Sequence, residues 1–221
     1  MATRPVYVVS TSRNHFEVVN INFQYFSGFS QKQKSKSIVS LHNAFSEVYK
    51  DKKILEISTK SRDELGIRLS AFNLMVKTKS GKMFSVESAF QSSKVFEHGG
   101  PYEDLLWKPS RVAKKDHRLK ESGKLVHFYF NNVKFELNPK TYFYNWIYIN
   151  ALNLNHELGD ELLQYDAFSD IEFNPQKSIN CQAEAVSIYV ALKKKKMLEE
   201  ALSSKKKFLD IVYYDAGGFR Q

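Results

Sequence analysis

The sequence predicts an α+β fold: a mostly helical domain with short strands and a strand-rich N-terminal extension. Three observations predict it. Val6–Ser10 and Phe16–Phe26 are runs of β-branched and aromatic residues, which favour strands. Beyond residue 140 apolar residues recur at helical spacing, over the longest stretch from Cys181 to Leu202,. The 221 residues are 43% hydrophobic and 14% aromatic, enough to bury a sizeable core. No internal repeat or interdomain linker interrupts the chain. The expected division is an extension, 1–53, packed on a core, 54–221, in one globular unit.

In order, Ser27–Lys36 reads as a polar, lysine-rich connection. Ile38–Lys50 is a helix on the spacing of Ile38, Leu41, Phe45 and Val48,. Ile54–Ile57 is a short strand running into Ser58–Ser61, and Leu69–Val76 a further strand before the turn at Ser80-Gly81. A helix then begins near Ser85 and stops at Gly99-Gly100-Pro101, because glycine ends helices and proline cannot continue them. Tyr102–Trp107 and the charged segment Arg111–Lys124 follow. Val126–Phe130 and Lys134–Leu137 flank Asn131-Asn132 as a hairpin, since asparagine tolerates positive φ. Tyr142–Asn153 and Glu157–Tyr165 are helices, Phe168–Phe173 a brief strand ended by Asn174-Pro175, and Cys181–Leu202 the last helix.

Composition narrows the function. One cysteine, Cys181, excludes an internal disulfide framework and a cysteine-based zinc site,. The six histidines show no metal-ligand spacing,, and neither metal nor cofactor is expected. No apolar run is long enough to cross a membrane and the N-terminus lacks signal-peptide features,, so a cytoplasmic protein is expected. The net charge of +9 suits a polyanionic partner,.

On the helix expected from Ser85, Glu87, Gln91 and Lys94 fall at i, i+4 and i+7, within roughly 60° of one another. Val86, Phe90 and Val95 flank them. The pattern alone admits a solvated Glu–Lys face or a polar stripe inside a buried one.

Leu69-Ser-Ala-Phe72 followed by Val86-Glu87-Ser-Ala-Phe90-Gln91-Ser-Ser-Lys94-Val-Phe96 resembles the core of the NADAR (YbiA-like) superfamily, an L-S-N-F-like strand and an E-x-x-F-Q-x-x-K-F helix. The strand asparagine falls at Ala71, with Asn73 two residues on. Trp146, Phe168–Glu172 and Asn180-Cys-Gln182 match later family positions. Gly28–Lys34, Leu55–Ser61, Gly99–Tyr102 and Asp170–Pro175 with Ser178–Gln182 are similar to the NADAR antitoxins encoded beside DarT toxins. The tryptophan-glycine element of the riboflavin-linked branch has no counterpart between Phe173 and Ile179.

The resemblance implies an N-glycosidase. In the antitoxin branch it implies removal of ADP-ribose from guanine in DNA, most simply single-stranded, with ADP-ribose as product and a DarT-type toxin as functional partner. The alternatives are an N-glycosidase on a small ribosylated metabolite of riboflavin synthesis and a non-enzymatic basic module binding nucleic acid or toxin. Glu87 is the expected general acid and Lys94 the expected nucleophile, forming a Schiff base once its amine is neutral. Ser58, Lys60 and Ser61 are candidates for phosphate or ribose contacts. Phe72, Tyr102 and Trp146 are candidates for stacking a base. Asn73, Gln91, Asn180 and Gln182 could read base or ribose edges, Glu172 is a second carboxylate, and Gly100 with Tyr102 would form a wall of the site. Arg111–Arg118 is placed to track a DNA backbone.

Overall fold

The computed structural model describes residues 1–12 and 14–214. It is an α+β fold. Nine strands are described: β1 (Ala2–Val9), β2 (Phe16–Phe23), β3 (Ile54–Glu56), β4 (Met75–Lys77), β5 (Met83–Ser85), β6 (Lys94–Phe96), β7 (Leu125–Phe130), β8 (Val133–Phe135) and β9 (Ala167–Ser169). Between and after them run helices α1 (Gln31–Val48), α2 (Glu64–Arg68), α3 (Val86–Ser92), α4 (Ser110–Lys115), α5 (Arg118–Glu121), α6 (Tyr142–Leu154), α7 (His156–Glu161), α8 (Gln182–Lys194), α9 (Leu198–Leu202) and α10 (Lys205–Leu209).

The main sheet has the order β2-β1-β9-β3. β1 pairs antiparallel with β2 from Ala2↔Phe23 to Val9↔Phe16. β9 is antiparallel to β1 and parallel to β3, with Val6↔Ser169 and Glu56↔Ser169 in register. The N-terminal strands therefore share one sheet with strands from beyond residue 53. Separate smaller sheets are β4-β5 and β6-β7-β8.

α6 and α8 run through the main core with Tyr148, Tyr189 and Phe143 fully buried. Phe128 stacks on Phe143 with centroids 4.6 Å apart, and Phe90 packs on both. α1 covers the other face of the sheet with Ile38, Leu41 and Phe45 against Val6, Val8 and Ile171.

The hairpin forms as predicted, Asn131 and Asn132 taking φ of 50° and 60°. Five elements differ from the sequence reading. α1 begins at Gln31, inside the expected connection, because the Ser30 side chain caps it by accepting from the Gln33 amide,. Leu69–Val76 is not a strand. Asp63 caps α2 through the Leu65 amide, the chain then turns with Asn73 and Leu74 amides on the Ser70 carbonyl, and only Met75–Lys77 extends. The helix from Ser85 stops at Ser92, not at Gly99. The Ser92 and Ser93 hydroxyls both donate to the Ala89 carbonyl, at 3.1 and 2.6 Å, which competes with the helical ladder. Phe168–Phe173 is extended only to Ser169, since the Asp170 carboxylate then turns the chain by accepting from the Glu172 and Phe173 amides. The last helix breaks after Lys194, with Lys196 at φ 58°.

Candidate active site

β3, β9, α3 and α4 converge on a cleft of about 970 Å³. Its lining combines a buried carboxylate, Glu87, with aromatic faces of Phe72, Phe90 and Tyr144 and with five cations, Lys34, Lys60, Arg111, Lys114 and Lys115.

α3 places Glu87 in its first turn. Ser85 caps the helix through the Ser88 amide at 3.0 Å, and the Glu87 amide donates to the Ala71 carbonyl at 2.9 Å. Ser110 Oγ lies 2.8 Å from the Phe72 carbonyl oxygen and 2.7 Å from Ser85 Oγ, with its one proton shared between them, which locks the basic helix α4 against the start of α3. Lys114 Nζ consequently lies 3.6 Å from Glu87 Oε1 and 4.9 Å from the centre of the Phe72 ring.

From Glu87 a polar chain runs inward. Gln91 Nε2 donates to Glu87 Oε1 at 2.8 Å, and Lys94 Nζ donates to Gln91 Oε1 at 2.7 Å. Lys94 stands on β6, opposite Phe128, with its ammonium 4.8 Å from the centre of the Phe90 ring. Burial pushes the Lys94 amine down to about 8; the Glu87 carboxylate opposes this and the Lys114 charge assists it. The i, i+4 part of the expected stripe is helical, but Lys94 reaches it from a strand.

The opposite part of the cleft hangs from the ends of β3 and β9. The Glu56 carboxylate is buried beneath it and accepts from Ser58 Oγ at 2.7 Å, Ser169 Oγ at 2.5 Å and the Ile171 amide at 2.7 Å. Burial, with Asp170 close by, raises the Glu56 pKa, and burial raises that of Asp170. Gln182 donates to Asp170 Oδ2 and the Ile57 carbonyl while its oxygen accepts from the Ala71 amide at 2.5 Å. Its polar atoms thus tie three segments of the cleft together. Lys34 pairs with Glu172 at 2.9 Å.

Of the residues singled out from the sequence, Ser58, Lys60, Phe72, Glu87, Gln91, Glu172, Asn180 and Gln182 line this cleft. Lys94 is not in the lining and joins it through Gln91. Ser61 is buried against Gly66. Asn73 is exposed, its amide on the Ile67 carbonyl. Tyr102 bonds Ser122 with its ring under Arg118 at 4.4 Å. Trp146 packs on Phe135 and Phe208 beside a separate apolar cavity of about 380 Å³. Gly100, at φ 90°, passes so close to the Lys94 carbonyl that a Cβ would collide with it. Sequence reasoning missed Lys34, Tyr144 and Asp170, whose place here depends on tertiary packing, and Phe29, at the mouth. Among the described residues no group of three His, Cys, Asp or Glu is placed to hold a metal ion, and no helix is long and apolar enough to cross a membrane.

A family model, that of the DarT1-associated NADAR antitoxin, matches residues 2–218, and the chain belongs to that family. No curated protein matches it.

Proposed function

We propose that this member of the DarT1-associated NADAR antitoxin family hydrolyses the N-glycosidic bond between ADP-ribose and guanine in DNA, and so reverses the modification made by a DarT-type toxin. The observation that carries the reading is a buried carboxylate, Glu87, in a cationic cleft and joined through Gln91 to a lysine of lowered pKa. The cations suit a pyrophosphate and a DNA backbone. A volume of about 970 Å³ lies at the upper end of ligand sites, which favours a dinucleotide-sized group over a small ribosylamine.

In this reading Glu87 passes a proton to the guanine as its bond to the anomeric carbon breaks, and the electron pair of that bond leaves with the base. The carboxylate left behind faces the positive charge growing on the sugar. A neutral Lys94 amine, swung from Gln91 into the cleft, adds to the anomeric carbon. The ring opens to an iminium as the added amine passes a proton to the ring oxygen. Water then releases ADP-ribose and regenerates the amine, the proton that the water gives up returning to the Glu87 carboxylate. With a pKa of about 8, roughly a tenth of Lys94 is neutral at pH 7.

The test is release of ADP-ribose from single-stranded DNA carrying ADP-ribosylated guanine, comparing the protein with its Glu87→Gln and Lys94→Ala variants. Loss of release in both is expected. Full activity in both would sink the reading, and borohydride trapping that requires Lys94 would support the covalent route.

A further inference from the structure

Phe29 is 93% exposed, yet it lines the same cleft as Glu87. No other phenylalanine among the described residues is exposed. The ring is not on a loose loop. Gly28 precedes it at φ 123°, a conformation available chiefly to glycine,. Ser30 follows it and caps α1, and Gln31 donates to the Lys60 carbonyl at 3.1 Å, fastening the start of α1 to another cleft segment. Ile179, 59% exposed, also lines the mouth. The cleft that these two apolar groups share is also lined by Lys60, Arg111, Lys114 and Lys115.

A single exposed apolar side chain is ordinary on a protein surface. An exposed phenyl on an anchored backbone at the mouth of a cationic cleft matches one ligand class well: an unpaired nucleobase, which offers a flat apolar face on a negatively charged backbone. A purely anionic ligand gains nothing from the phenyl, and a peptide gains nothing from so many cations.

We propose that Phe29 is the platform of a second subsite, which stacks the base neighbouring the modified guanine in a single strand. This rests on the reading of the cleft as an ADP-ribosyl-guanine site. In a duplex the neighbouring base is already stacked and paired, so Phe29 would make the protein discriminate in favour of single strands and of polymers over a modified mononucleotide.

The experiment measures the affinity of the full-length protein for a short, fluorescently labelled, unmodified oligodeoxyadenylate by anisotropy. Phe29→Ala is expected to weaken binding about tenfold, within the range for one base–aromatic stack, and Phe29→Trp to preserve it. Both changes are on the surface, so circular dichroism should remain that of the parent. Annealing the complementary strand should abolish the difference between parent and Phe29→Ala. Equal affinity of parent and Phe29→Ala for the single strand would overturn the proposal, as would a loss of the same size on the duplex. Failure of the parent to release ADP-ribose from modified DNA, with Phe29-dependent single-strand binding intact, would count against the glycohydrolase reading alone.

Discussion

Glu87 and Lys94 are coupled through one intervening amide: Gln91 donates to the carboxylate at 2.8 Å and accepts from the ammonium at 2.7 Å. The only ion pair of Glu87 among the described residues is with Lys114. In the proposed function Gln91 is therefore a positioning residue for both groups, its amide nitrogen donating to one and its oxygen accepting from the other.

Gln91→Leu should lower kcat/KM about a hundredfold, the scale of misplacing a reacting group by about an ångström. It removes an acceptor that favours the charged amine, so the limb of the pH–rate profile set by Lys94 should move to lower pH. A pH series on single-stranded modified DNA reads both effects, and an unmoved limb would deny the coupling.

For the unaltered protein, the rate at which a small amine-reactive ester acylates Lys94 should climb about tenfold per unit as pH rises toward the Lys94 pKa of about 8 and flatten above it, a readout that does not pass through the Glu87 acid,. A rate independent of pH across this range would argue against a neutral amine as nucleophile.

Lys114→Ala removes a cation that lies 3.6 Å from Glu87 and repels the Lys94 charge. Its loss should raise the Lys94 pKa and move the limb that Lys94 sets to higher pH, opposite to the Gln91 change. KM for modified DNA should rise several-fold, and the salt dependence of binding should become shallower by about one unit.

Gly100→Ala would place a methyl against the Lys94 carbonyl and hold alanine at φ 90°. Stability should fall by about 1–3 kcal/mol, and trapped adduct should fall further than the unfolded fraction accounts for. Thermal melts run beside the trapping assay separate the two.

His42 meets Ser169 Oγ at 2.9 Å, and burial, with Arg62 nearby, pushes its pKa down to about 4 from 6.5. A buried neutral histidine must charge on unfolding, so its contribution is complete above pH 6.5 and is lost as pH falls toward 4. The loss should be on the order of 3 kcal/mol. Denaturant midpoints of the parent minus those of His42→Gln should shrink over that interval, which isolates the histidine from Glu56 and Asp170, whose raised pKa values act with opposite sign.

Much of this arrangement was readable in the sequence where function and local pattern coincide. Glu87 and Gln91 are on one helical face, as their spacing predicts, and Asn131-Asn132 makes its hairpin. The spacing puts Lys94 on the same helix, because seven residues is also two helical turns. Only the serine hydroxyls that fold back on Ala89 reveal that the ladder stops short. Leu69–Val76 has the composition of a strand, but Asp63 and Ser70 redirect its backbone through bonds that an apolar pattern does not encode. Trp146 and Tyr102 illustrate the converse. An aromatic in a matching motif looks equally apt for stacking a ligand or filling a core, and the neighbours that decide, Phe208 and Arg118, are distant in sequence. Phe29 carried no periodic signal, since its exposure follows from the backbone of Gly28 and the cap at Ser30.

The place of β9 has a consequence for synthesis. It is the third strand of the main sheet in space, between β1 and β3, but the last of that sheet to leave the ribosome. Until Ala167–Ser169 emerges, β1 and β3 have no strand between them, and Glu56 lacks both Ser169 and Ile171 as partners. Such distant pairing delays folding relative to helical neighbours. A nascent chain interrupted before residue 167 would thus carry Glu87, Gln91 and Lys94 and still lack the cleft. Protection of the cell would come only from finished molecules, and the lag between translation and activity would include closure of this one strand.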